Sequence, residues 1–532
     1  MSVAIQTQKE SDCADGGDTG AARRGSGFAS VKPSMVCDAT DARPDPDPAV
    51  EDADDMENKD DKSKDNDDEK VAAFLERNGL HRSAVAAAHE FARARFPGCG
   101  VERAPFQGYC SYTLLLRPRP LGGGVGGGGG GGLVQFRPRR HGIDVDVCGE
   151  ARGVLGAGIV PGVEELGVLA GLEKTVSRGG RGKDHGDRDG ERNGESDGEL
   201  CAYLLERVGG VSLTWFRGVS AGLGADPRAS RRRLVADLAV VFADSWRGRR
   251  EGFGSGDVVV GSGSGSKGRV GESMAWRLEI MESGLPPEFR DIVREVRRDL
   301  AEIEDLPWVV THGDLVPDNV MVHPPRDEDE AWVRRRRRLG WGREERAGGL
   351  VGLIDWAEAE WLPFGVGMYG LEEVLGEDVV VVDGNTNVDC VGGGGGSSSS
   401  GATAATTTTT TMMTTRFEYY PEAASLRALF WDEVGRVVGD DEVIRRAKRA
   451  QFLGVLLWRG IAFDDGALGR VVDEERDWWD LQRLRVWAFE EGGLGLSRGK
   501  VEVEVVRGSG EQKKRDRRRL LKRLFAWIRG CC

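Results

Sequence analysis

The run His312-Gly313-Asp314-Leu315-Val316-Pro317-Asp318-Asn319 constrains this chain more than any other stretch. Trp308-Val309-Val310 leads into it and Val320-Met321-Val322 leads out. Short apolar runs bounded by turn residues read as buried strands, so the polar residues between them form a loop held at strand ends. A third apolar segment, Leu350 to Ile354, ends in Asp355-Trp356. Two acids and an amide at these spacings suit phosphoryl transfer from a nucleotide. One carboxylate orients the acceptor hydroxyl, while an amide and a second carboxylate hold magnesium on the phosphates. Hard divalent magnesium prefers such oxygen ligands and offsets the charge on the transferring group. Asp314 is the expected catalytic base, and Asn319 and Asp355 are the expected metal ligands. His312 is expected to brace the loop rather than to move protons.

The His312-Gly313-Asp314…Asn319 loop followed by Ile354-Asp355-Trp356 resembles the aminoglycoside phosphotransferase and choline kinase superfamily, relatives of the protein kinases. Gly365, Tyr369-Gly370-Leu371-Glu372-Glu373 and Phe430-Trp431 resemble a fungal group of aminoglycoside phosphotransferase-domain proteins. The resemblance runs, with interruptions, over roughly residues 100–465. It implies an α+β, bilobal, protein-kinase-like fold with a small β-rich N-lobe and a larger helical C-lobe. ATP and Mg2+ are the implied cofactors, and a small hydroxylated molecule is the implied acceptor. The His-Gly-Asp and Ile-Asp-Trp spellings fit a protein kinase poorly, and no Ala-Pro-Glu-like segment follows Asp355.

The resemblance also assigns nucleotide contacts. Arg137, at the end of the strand Leu133–Arg137, stands where kinase-like enzymes place the Lys that holds the phosphates. Arg is still a cation and grips phosphate bidentately, but it is longer. Glu150 is the expected acid orienting Arg137, with Glu164 and Glu165 as rivals. Gln107-Gly108-Tyr109-Cys110-Ser111 is the candidate nucleotide loop, with Ser111 on the phosphates, although it holds a single glycine. The seven glycines Gly126–Gly132 are a homopolymer and not a phosphate cradle, and Gly122–Gly132 reads as an expanded hairpin turn. Arg207 to Leu213 reads as the hinge between lobes, with adenine on backbone near Glu206 and Val208.

Much of the chain is not core material. Of 532 residues, 79 are Gly. Residues 1–68 are acidic, polar and Pro-punctuated, which predicts a disordered tail. The N-lobe is expected over 69–208, with insertions at 118–132 and 174–199. The C-lobe is expected over 209–508, with the catalytic loop at 312–319 and the metal strand at 350–356. Insertions are expected at 252–271, 324–348 and 383–415. Helical spacing appears over 70–95 with a break at Gly79, at Leu234, Leu238, Val241 and Phe242, from Phe289 to Ile303, and over 426–464. Strands are expected at Tyr112–Leu116, Leu133–Phe136, Gly167–Leu169 and Cys201–Glu206.

Net charge is −14, but acids crowd residues 44–69 and bases crowd the C-terminus, so the net value excludes little. The arginine run Arg334–Arg338 is nearly offset by neighbouring acids, and no nucleic-acid partner is expected. The nine cysteines are scattered without a CxxC pair, which argues against a metal centre or a disulfide framework. With no secretory h-region and no long apolar run, a cytoplasmic location is expected. The tail 509–532 sets Leu520, Leu521, Leu524, Phe525 and Ile528 on one face of a basic helix that ends in Cys531 and Cys532. Such a helix is suited to an anionic membrane surface.

The functional expectation is an ATP-dependent phosphotransferase acting on a small hydroxylated molecule. Glu358 and Glu360 are candidates for attracting a cationic acceptor. The alternative is a catalytically weak or inactive kinase-like nucleotide-binding module, favoured by the poor glycine loop and by Arg in place of Lys.

Overall fold

The computed structural model describes residues 68–118, 131–173, 199–220, 226–251, 268–324, 347–383, 412–464, 467–490 and 493–495. Helix α1 (68–77) and helix α2 (Ser83–Arg95) come first, and Gly79 at φ +59° turns the chain between them. Five strands follow: β1 (Cys99–Arg103), β2 (Tyr112–Pro118), β3 (Leu133–Pro138), β4 (Val163–Leu169) and β5 (Leu200–Leu205). They form one antiparallel sheet in the order β1-β2-β3-β5-β4. β1 lacks an apolar run because it is a partly exposed edge strand, paired to β2 alone. Phe74, Ala88 and Ala92 of α1 and α2 pack against Leu114, Val134 and Phe136 of the sheet. Fully burying each of the larger side chains contributes roughly 1.5–3 kcal/mol.

Helix α3 (Val145–Leu155) lies in the chain between β3 and β4. The Asp144 carboxylate caps it by accepting from the Asp146 and Val147 N–H groups. Cys148, Ala151 and Leu155 of α3 enter the apolar core of the helical region and not that of α1 and α2. The sheet is thereby tied to the larger lobe through its own helix.

Beyond β6 (Val211–Ser212) helices dominate. In α4 (Pro227–Arg247) Asp226 caps the first turn, Pro227 opens it, and Leu234, Leu238 and Phe242 are buried as the spacing predicts. The stripe from Phe289 to Ile303 is two helices, Pro287–Arg298 and Leu300–Glu304, meeting at Asp299. Strands β7 (Trp308–Thr311), β8 (Val320–Val322), β9 (Leu350–Leu353) and β10 (Glu360–Pro363) then frame the site. β8 and β9 pair antiparallel, with Val320 opposite Leu353, and β6 joins them. β7 pairs with β10. The helices Ala423–Val438, Asp441–Arg459 and Trp478–Phe489 complete the lobe.

Several sequence boundaries shift, and β4 begins at Val163 rather than at Gly167. Met412–Tyr419 is a strand paired with Gly376–Asp383, so a ladder enters the end of the expected 383–415 insertion. Residues 461–464 are not helix, because the Asp441–Arg459 helix stops at Gly460 and Ile461–Asp464 forms a hairpin with Ala467–Val471. Gly268–Gly271, expected within an insertion, is a short helix against Glu360. The acidic tail, the glycine run before Gly131, the arginine run and the basic C-terminal segment lie outside the described residues. No helix among the described residues is long and apolar enough to cross a membrane.

Candidate active site

The loop between β7 and β8 is held by its own side chains. Gly313 has φ +80°, and a Cβ there would come within 1.8 Å of the Glu358 carbonyl oxygen, so only glycine fits. The Asp314 N–H donates to His312 Nδ1 at 3.2 Å. A backbone amide can only donate, so Nδ1 is unprotonated, and Nε2–H donates to the Ile354 carbonyl at 2.8 Å. Burial pushes the His312 pKa down to about 4, which keeps the ring neutral. His312 thus ties the loop bearing Asp314 to the strand end bearing Asp355, and its ring meets Trp356 edge-on at 4.7 Å. Tyr369 adds a second tie, since its hydroxyl accepts from the Leu315 N–H and donates to the Gly313 carbonyl.

Asn319 Nδ2 donates both to the Asp314 carbonyl at 2.9 Å and to Asp314 Oδ2 at 3.0 Å. Burial pushes the Asp314 pKa up to about 6, with further upward contributions from the charges of Asp355 and Glu358. Asp355 has φ +61°, the only positive φ of a non-glycine residue among the described residues. Such strain costs roughly 1–3 kcal/mol and persists only where surrounding structure enforces it.

Arg137, buried at the end of β3, reaches across to Asp355, with Nη2 to Oδ1 at 2.5 Å. Its Nε–H donates to Gln135 and its Nη1–H to the His141 carbonyl. The expectation that Glu150 orients Arg137 is corrected here. Glu150 accepts instead from Arg250 at 2.8 Å and from the Trp361 indole N–H at 2.7 Å. Because α3 is packed onto the helical lobe, its carboxylate finds partners there. Neither rival takes its place, since Glu164 and Glu165 lie on β4, two strands from Arg137.

A cleft of about 560 Å3 gathers Gly108, Tyr109, Cys110 and Ser111 with Arg137, Asp314 and Asp355. Ser111 is buried beside Thr113, with 3.4 Å between the hydroxyls. Tyr109 and Phe463, both exposed, meet edge to face across the two lobes at 6.2 Å between ring centres. Glu206 and Val208 do not line this cleft. The Glu206 carboxylate accepts from the Gly162 N–H and pairs with Arg152, and its own N–H donates to the Gly162 carbonyl. Val208 lies against Gly352, and its backbone makes no hydrogen bond among the described residues.

The residue types fit a magnesium–triphosphate cluster. The Asn319 amide oxygen and one Asp355 oxygen have no hydrogen-bond partner among the described residues, and both are hard donors. No cluster of three His, Cys, Asp or Glu side chains suited to a metal occurs among the described residues. Magnesium does not demand one, because it is bound by one or two protein ligands together with phosphate oxygens and water.

Sequence reasoning missed Arg277, Trp458 and Arg459, which line the same cleft. For Arg277 a signal was present. It shares a helix face with Met274, Leu278 and Met281, all buried, so a charge interrupts an apolar stripe. Glu360, expected as an attractor of cations, is buried and accepts from the Val270 and Gly271 N–H groups.

No protein-family model matches the chain, and no curated protein matches it. Among solved structures it is similar to a putative aminoglycoside phosphotransferase from Ralstonia eutropha, at 13% identity and a TM-score of 0.33, over 71% of this chain and 92% of that one. It is also similar to APH(2″)-IIa in its gentamicin complex, at 11% identity and a TM-score of 0.35, over 77% of this chain and 98% of that one. A third is ADP-bound aminoglycoside phosphotransferase APH(2″)-Ib, at 8% identity and a TM-score of 0.34, with the same coverage. The chain's structural neighbours are thus aminoglycoside phosphotransferases, and its own architecture is a β-sheet lobe joined to a helical lobe around one charged cleft.

Proposed function

We propose that this protein is an ATP-dependent phosphotransferase that moves the γ-phosphate to a hydroxyl of a small molecule. The observation that carries the reading is that Arg137, Asp314 and Asp355, from three separate stretches of chain, line one cleft, with Asn319 bonded to Asp314. Asp314 would accept the hydrogen bond of the acceptor hydroxyl and fix its direction of attack. Asn319 holds Asp314 in that orientation through Nδ2 and keeps its oxygen for the metal. Asn319 and Asp355 would hold magnesium, which when bound supplies the positive charge that neutralises the phosphate oxygens. Arg137 would turn toward those phosphates, and most of the rate gain would come from positioning and charge.

Asp314→Ala tests this. We expect a folded protein whose ATP-dependent transfer falls by roughly 10²–10⁴, the usual contribution of a positioned acid or base. Undiminished transfer in that variant would remove Asp314 from the mechanism.

A specific observation favours a second reading, an inactive nucleotide-binding module. Arg137 already neutralises Asp355, and Glu150 is engaged elsewhere. Thermal shift with ATP, with and without magnesium, separates the two. Stabilisation by ATP that magnesium does not increase would favour the module.

A further inference from the structure

We propose that the acceptor carries an anionic oxygen group, a carboxylate or a phosphate ester, and that Arg277 binds it. This rests on the phosphotransferase reading and names the acceptor class for the same cleft. Arg277 lies on the helix Met274–Gly284 and lines the cleft together with Asp314, Glu358 and Glu360. Only 3% of the residue is exposed. Its Nε–H donates to Ser273 Oγ at 2.7 Å, and among the described residues its two terminal nitrogens have no hydrogen bond and no ion pair.

The other cations of the cleft are taken. Arg137 is paired with Asp355, and Arg459 with Glu373 and Asp480. Glu360 is near enough to favour the charged form of Arg277, yet no ion pair joins them. Its carboxylate is bonded to the Val270 and Gly271 N–H groups, and burial holds it toward the neutral form, up to about 7. A buried guanidinium whose terminal nitrogens have no ion pair lowers the stability of the free protein. A planar fork of N–H donors matches a carboxylate or a phosphate group bidentately, so such a group on the acceptor would satisfy it. A neutral polyol would leave the charge uncompensated, and an ammonium group would be repelled by it.

Matched acceptors test the assignment on the full chain with ATP and magnesium. Glycerate would be compared with glycerol, gluconate and glucose 6-phosphate with glucose, and glucosamine would serve as the cation. We expect kcat/KM for an acid to exceed that for its neutral partner by at least about tenfold, consistent with loss of one charge-assisted contact, with glucosamine lowest. The carboxylate and phosphate arms decide which oxyanion is preferred. Arg277→Met should abolish the preference through KM while its Tm equals or exceeds that of the unmodified protein, a sign opposite to that of a purely structural arginine. Arg277→Lys keeps the charge and should retain part of the preference, which preserves the test if the Met variant does not fold. Neutral or cationic acceptors used as well as acids would overturn the proposal, as would a drop in Tm for Arg277→Met with the preference intact. If none of the acceptors is phosphorylated, calorimetry with the same acids in the presence of ADP and magnesium decides, and no binding overturns it. Failure to bind magnesium–ATP would instead sink the phosphotransferase reading itself.

Discussion

The two walls of the cleft are built differently. On the helical side, His312, Asn319, Tyr369 and Gly313 fasten Asp314 through side chain–backbone bonds that leave the loop no slack. On the sheet side, the Gly108–Ser111 loop contributes one short run, and a single long side chain, Arg137, crosses to the other wall. The difference teaches that Asp314, the proposed acceptor-orienting group, is preorganised, whereas Arg137, the proposed phosphate-gripping group, would have to move to do that work. Preorganised groups cost no rearrangement at the moment of reaction.

The first way to break this contrast is at Gly313. Gly313→Ala should destabilise the protein by roughly 2–6 kcal/mol, combining backbone strain with overpacking against Glu358. Denaturant titration checks it, and a loss below about 1 kcal/mol would mean that the loop has slack after all.

The next test concerns Asp314 ionisation. Its folded pKa, about 6, lies above the ordinary carboxylate value, so its contribution to stability is full below about pH 4 and is lost as pH rises through 6. Asp314→Asn should therefore stabilise the fold by roughly 1–3 kcal/mol at pH 7 and by nothing at pH 3.5. Transfer by the unmodified protein should fall as pH drops through about 6, because the role proposed for Asp314 needs the ionised carboxylate. A pH-independent stability difference would show that Asp314 is solvated.

The sharpest comparison sets Arg137 against Glu150. Arg137→Gln should raise the KM for ATP about tenfold, the loss expected for one charge-assisted contact. Glu150→Gln should cost about 1 kcal/mol of stability and leave that KM unchanged, since its partners are Arg250 and Trp361. Equal damage to nucleotide binding from both would mean that Glu150 leaves those partners when nucleotide arrives.

The fold class and the cleft's chemical residues were legible because both rest on local patterns. Apolar runs of strand length flank Asp314, Asn319 and Asp355, and helical spacing marks Leu234, Leu238 and Phe242. Partnerships were less legible. Glu150 was assigned to Arg137 by order along the chain, but the packing of α3 onto the helical lobe sends it to Arg250. Glu206 is expected to meet adenine through its backbone, yet its N–H donates to the Gly162 carbonyl.

What the amino-acid order decided alone was which segments are buried strands and helices, and which oxygen-bearing side chains stand at their ends. Periodicity reports a residue's own burial, and that is a local property. What only the tertiary structure decided was which charge meets which. Arg137 lies on Asp355, and Arg277 faces the cleft with no ion pair among the described residues. The Arg137–Asp355 pair joins residues 218 apart in the chain, and ion pairing depends on separation in space and on burial, neither of which sequence distance measures.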